Sequence, residues 1–147
     1  MRTFSTRTLG ALALATAFAA PAGAAEKTFI AIMNGGQVVP PSTSQAQGLG
    51  YFTYDTALKR PCFSITYSGL DTNSSETESH IHNGKAGTTD TVFFDLDVGS
   101  PKKACVGPFT AKQEKALFRG ETYVNIHTTV WVAGELRGQI LPIRTGK

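Results

Sequence analysis

A chain of 147 residues, 41% hydrophobic and 17% charged, suits one domain and is too short for two. Its formal net charge of +3 owes much to the first two dozen residues: without Arg2 and Arg7 there remain 12 Lys/Arg against 11 Asp/Glu. No basic cluster is left to follow a phosphate backbone, so no nucleic-acid partner is expected.

Residues 1–24 read as a signal peptide. Arg2 and Arg7 supply a basic start, an Ala/Leu-rich run follows over 9–20, and Ala22-Gly23-Ala24 offers a small-residue cleavage site before Ala25. The apolar run, roughly 12 residues, falls short of the ~20 that cross a bilayer. Ala25, not a cysteine, stands directly after the cleavage site, so no membrane anchor is expected once the signal is removed. The remaining domain, 25–147, is expected to be periplasmic or secreted. Two cysteines in an exported chain, Cys62 and Cys105, are expected to pair as a disulfide; free or metal-binding thiols are the alternative.

The first strand is expected over 27–33, broken by Asn34-Gly35-Gly36, and Pro40-Pro41 keeps the next segment extended and unpaired. Residues 48–54 and 57–67 read as two strands joined by a tight turn at Asp55-Thr56. In the second, Cys62, Ser64 and Thr66 alternate with Phe63, Ile65 and Tyr67, the period of a half-buried strand. A polar stretch with the sequon Asn73-Ser74-Ser75 leads to Ser79-His80-Ile81-His82-Asn83-Gly84, a strand ending in a turn signal. Further strands are expected over 91–97, 104–106, 121–128 and 135–143. One short helix is expected over 110–119, with Thr110 as its cap and Gly120 as its stop. Many short strands and one connector helix predict an all-β sandwich or barrel.

All three histidines lie in two of these strands. If Ile81 faces the core, His80 and His82 face away from it. If Val124 and Ile126 face the core, Tyr123, Asn125 and His127 do not. Next-but-one residues on a strand stand about 7 Å apart, close enough for two imidazoles to converge on one ion. His80, His82 and His127 are therefore the candidate ligands of one copper or zinc ion on the outer sheet face, since imidazole nitrogen suits Cu(II) and Zn(II) while calcium and magnesium prefer oxygen. The alternative is that the rings only hydrogen-bond neighbouring loops.

Other chemistry has thinner support. Asp95 and Asp97 share a strand face and read as solvated rather than as a catalytic pair. Tyr123 and Trp131 near His127 form either an exposed rim or a packed sandwich end. Arg137 is expected to meet a carboxylate or a carbonyl. No nucleophile elbow, phosphate loop, dinucleotide fingerprint or Cys-x-x-Cys motif occurs, so no catalytic residue is assigned.

Three stretches resemble a known family. Asn34-Gly35-Gly36-Gln37-Val38-Val39-Pro40-Pro41 resembles the opening element of the CHRD domain, the module repeated in the animal protein chordin. Ser79-His80-Ile81-His82-Asn83-Gly84-Lys85-Ala86-Gly87 is similar to its His-x-His motif. Tyr123-Val124-Asn125-Ile126-His127-Thr128, with Gly134-Glu135-Leu136-Arg137-Gly138-Gln139-Ile140, resembles its closing motif. Gln37 and Ser79 stand where the family usually has an acidic residue and an alanine. The resemblance implies an immunoglobulin-like or Greek-key β-sandwich and little about activity. A module that binds another exported protein or a surface polymer through its loops and sheet edges is the alternative to a metal site. The order His-x-His and then a lone histidine is also loosely similar to the copper side of Cu/Zn superoxide dismutase. That likeness adds a weak copper redox enzyme as an alternative, although the bridging histidine and the zinc ligands of that enzyme have no counterpart.

Overall fold

The computed structural model describes residues 26–144; the expected signal peptide lies outside them. Nine strands form an antiparallel sheet: β1 (Glu26–Asn34), β2 (Gln47–Asp55), β3 (Arg60–Ser68), β4 (Glu76–Asn83), β5 (Val92–Leu96), β6 (Lys102–Cys105), β7 (Thr122–Thr128), β8 (Leu136–Gln139) and β9 (Leu141–Pro142). Eight of them run in the order β5-β4-β7-β8-β1-β2-β3-β6, and β9 adds to β1. The sheet bends where β8 meets β1, which share the single register pair Asn34↔Arg137. Its halves then face each other across one core, in which Phe29, Phe52, Tyr54 and Ile65 of one half meet Ile81, Val124, Ile126 and Leu136 of the other. The fold is an all-β sandwich with one short helix, as expected.

Alternation along the strands sets this arrangement. On β1, Phe29, Ala31 and Met33 are buried while Ile32 is exposed; on β3, Phe63 and Ile65 are buried while Thr66 is exposed. Each large side chain taken fully into such a core contributes roughly 1.5–3 kcal/mol. The helix α1 (Ala111–Phe118) begins with a capping box between Thr110 and Gln113. Gly120 follows at φ +68, a left-handed value that glycine adopts without a Cβ clash. Phe118 at its end stands edge-on to Phe29 and Tyr54, at 5.5 and 5.4 Å. Cys62 and Cys105 lie opposite each other on β3 and β6 and are joined as a disulfide, so the free-thiol alternative is ruled out.

Most element boundaries shift by one or two residues, and two differences change the path of the chain. The turn after β2 is longer than Asp55-Thr56, occupying 56–59, so that β3 starts at Arg60. Asp55 Oδ1 accepts from the backbone N–H of Ala57 (2.8 Å) and Leu58 (3.0 Å), which curls the chain before it can pair. The last expected strand is two: Ile140 N–H donates to Thr122 O, and the chain then leaves β7 to pair with β1 as β9.

The open edges β5 and β6 are tied by a connection at 97–101. Glu76 of β4 and Lys102 of β6 form a buried ion pair at 2.5 Å. Lys102 Nζ also donates to the carbonyls of Asp97 and Gly99, both at 2.7 Å. Among the described residues no helix is long and apolar enough to cross a membrane.

Candidate metal centre

Strands β4 and β7 pair with His80 opposite Asn125, His82 opposite Tyr123 and Glu78 opposite His127. Ile81, Val124 and Ile126 enter the apolar core, so the three histidines share the other sheet face, as the period of two requires. β8 extends this face, with Arg137 opposite Asn125 and Gln139 opposite Tyr123. This outer face is covered: His82, Tyr123, Asn125, Arg137 and Gln139 are all buried.

The cover consists of loops fastened by the strands beneath. Gln139 Nε2 donates to the carbonyls of Gly84 (2.8 Å) and Gly120 (2.7 Å). Arg137 donates to the carbonyls of Thr88 (2.7 Å) and Lys85 (2.9 Å), so it meets carbonyls and not a carboxylate. Its guanidinium also lies 3.5 Å from the centre of the Tyr123 ring. Gly84 has φ +146, and a Cβ there would stand 2.9 Å from the Tyr123 ring, so the Asn83-Gly84 turn can pass over the tyrosine only with glycine.

The rings of His80, His82 and His127 come together. Their centroids are 5.3 Å apart for His80–His82, 5.1 Å for His80–His127 and 6.4 Å for His82–His127. Each offers a nitrogen within 4.8 Å of those of the other two. A tetrahedral ion with bonds of about 2.0–2.1 Å holds its nitrogens about 3.4 Å apart, so closing on an ion asks for ring shifts below about 1 Å each.

The partners of each ring determine which nitrogen keeps a lone pair. His82 Nδ1 faces the Asp90 carbonyl at 3.0 Å; a carbonyl only accepts, so Nδ1 carries the proton and Nε2 is bare in the neutral ring. By the same logic His127 Nδ1 donates to Val132 O at 2.8 Å. His80 Nε2 faces carboxylate oxygens of Asp95 (3.5 Å) and Glu78 (3.7 Å); these are charge contacts rather than hydrogen bonds, and they favour a proton on Nε2 and a lone pair on Nδ1 in the neutral ring. His80 Nδ1 and His82 Nε2 are both buried with no hydrogen-bond partner. Rings oriented by a carbonyl or carboxylate on the far nitrogen are how proteins present histidine to a metal.

Burial holds the His82 pKa below its usual 6.5; the Asp90 carbonyl opposes this, while the other two histidines and Arg137 add to it. A ring kept neutral in this way stays able to coordinate as the solution becomes mildly acidic. Its flat face stacks on Tyr123 with centroids 4.7 Å apart and planes 3° from parallel, which fixes the ring in place.

Asp95 is exposed and faces His80, while Asp97 contributes its carbonyl to Lys102, so the two form no carboxylate pair. Tyr123 is packed within the site and not part of a rim. Trp131 is half-buried, with Nε1 donating to Asp71 Oδ2 at 2.5 Å.

Sequence reasoning missed Glu135. It is fully buried, and its carboxylate accepts from Ser44 Oγ (2.7 Å), Asp71 N–H (2.6 Å), Ser74 Oγ (2.8 Å) and Thr128 Oγ1 (2.8 Å). Burial alone raises its pKa, but these donors outweigh that and hold it below the usual carboxylate value. The signal was present: Glu135, Arg137 and Gln139 alternate with Leu136, Gly138 and Ile140, a polar face at the period of a strand.

Fold and site together define a β-sandwich module whose distinctive chemistry is a covered histidine cluster on one sheet face. The model of the CHRD domain matches residues 29–140, and the chain belongs to the CHRD family. The match includes all three histidines and both cysteines. No curated protein and no solved structure matches the chain, so the likeness to Cu/Zn superoxide dismutase gains no support.

Proposed function

We propose that this protein is an exported, non-catalytic binding domain, periplasmic or secreted, that holds one Cu(II) or Zn(II) ion with His80, His82 and His127. The observation that carries this reading is the pair of buried, unpartnered lone pairs on His80 Nδ1 and His82 Nε2, with His127 alongside. A buried acceptor without a donor is destabilising by about 1–3 kcal/mol, and a cation relieves two at once. Copper is favoured over zinc because nitrogen sites bind Cu(II) more tightly. Binding is favoured over turnover because the cluster lies beneath loops. Export is supported by the signal-like start and by the disulfide, which belongs to an oxidising compartment.

Calorimetry of the purified domain at neutral pH is expected to show about one equivalent of Cu(II) or Zn(II) bound, and His82→Ala to weaken binding at least tenfold. No heat with either ion would overturn the reading. A second reading, a module that docks another exported protein, draws on the exposed strip of Ile32, Leu49 and Tyr51 across β1 and β2. On that reading, replacing all three histidines leaves capture of the partner unchanged.

A further inference from the structure

The third histidine differs from the other two. His127 Nδ1 is committed to Val132 O, and its remaining nitrogen, Nε2, lies 3.0 Å from Asn125 Nδ2. The same amide nitrogen lies 3.1 Å from Ala133 O. The carbonyl settles which way the amide faces: turned over, Asn125 Oδ1 would confront the Ala133 oxygen, acceptor against acceptor. Asn125 therefore donates one proton to Ala133 O and the other to the lone pair of His127. The amide is also clamped from above, since a Cβ on Gly134, which sits at φ +123, would collide with Asn125 Oδ1.

We infer that Asn125 is a specificity-determining residue of the histidine site, masking the third ligand so that an ion must displace its N–H from His127 before three nitrogens can coordinate. The inference rests on the metal-binding reading above and adds the step that sets affinity. Two lone pairs, His80 Nδ1 and His82 Nε2, are available at once; the third is exchanged for a hydrogen bond. Such an exchange weakens binding by about the net strength of that bond, roughly two- to tenfold. It also makes the site selective against ions that arrive with too few bonds to make up for the loss.

The test is Zn(II) titration of the wild-type domain, Asn125→Leu and Asn125→Asp, with circular dichroism to establish that each is folded. Leucine keeps the branched shape without the N–H, and aspartate replaces the donor with an anionic acceptor. Both are expected to bind Zn(II) two- to tenfold more tightly than wild type. A folded variant that binds equally or more weakly would overturn the masking role, because a residue that merely positions His127 loses affinity when removed. Should neither variant fold, the side-chain amide resonances of Asn125 in wild-type protein decide: they are expected to shift upfield as Zn(II) displaces the hydrogen bond, and unmoved resonances at saturation would overturn the inference. Wild-type protein that binds no Zn(II) and no Cu(II) would refute the underlying reading instead.

Discussion

Replacing Glu135 by glutamine changes one buried atom and removes one charge. Two donors meet each carboxylate oxygen: Ser44 and the Asp71 N–H at Oε1, Ser74 and Thr128 at Oε2. Hydrogen bonds to an ionised group stabilise by about 1.5–3 kcal/mol each, against about 1 kcal/mol for neutral pairs. In Glu135→Gln all four revert to neutral strength, and the hydroxyls facing the new NH2 must turn round to accept. The expected loss is roughly 2–4 kcal/mol, a large share of the ~5–15 kcal/mol that holds a domain folded. Trp131 is the only tryptophan and donates to Asp71, whose N–H reaches Glu135. Urea titration followed by its fluorescence therefore reads the network directly. The pH dependence supplies a second signature. The folded Glu135 pKa lies below its ordinary 4.5, so the carboxylate's contribution is complete above pH ~4.5 and is lost as pH falls through the lowered folded value. The wild-type advantage should narrow over that window. A difference below about 0.5 kcal/mol at pH 7, or one that does not shrink in acid, would refute the argument, since exposed polar substitutions alone give that little.

His82 should leave a milder mark in metal-free protein. Its folded pKa lies below 6.5, so the unfolded chain takes up the proton first, and stability falls as pH drops from 6.5 toward the lowered value; in His82→Gln, urea midpoints over that range should show a smaller slope. Cys62 and Cys105 are 43 residues apart; by loop entropy their joint replacement with serine should cost roughly 4 kcal/mol, and a change in denaturation midpoint worth under about 1 kcal/mol would show that the cross-link does little.

Local pattern marked much of the fold. The alternation on β3, the capping residues of α1 and the cysteine pair each act within a few positions of the chain or through a compartment rule, and each is visible in the residues. The histidines were legible for the same reason, being polar at the period of a strand. Their burial was not. The cover over His82 depends on Gln139 reaching the carbonyl of Gly84, 55 positions away, and on Arg137 reaching Thr88, 49 away. No periodicity announces such bonds. Glu135 reads as the start of an ordinary strand because its donors, Ser44 and Ser74, are 91 and 61 positions distant. The alternation of β7 turns Asn125 away from the core, but its grip on His127 depends on the turn at 131–134 bringing the Ala133 carbonyl within reach.

The strand order has a consequence for how the chain is made. β1, the first strand, lies inside the sheet, between β2 and the late strands β8 and β9. The earliest segment thus waits for nearly the last before its second edge is paired, and pairings between distant segments form slowly. During synthesis β1, β2 and β3 can assemble as a meander with one apolar face uncovered, and the cover of the histidine face is not fastened until β8 brings Arg137 and Gln139 beneath the loops. Cutting the chain before Leu136 would remove the closing strand and the fastenings of the cover together, so the covered histidine cluster is among the last parts of the molecule to be born.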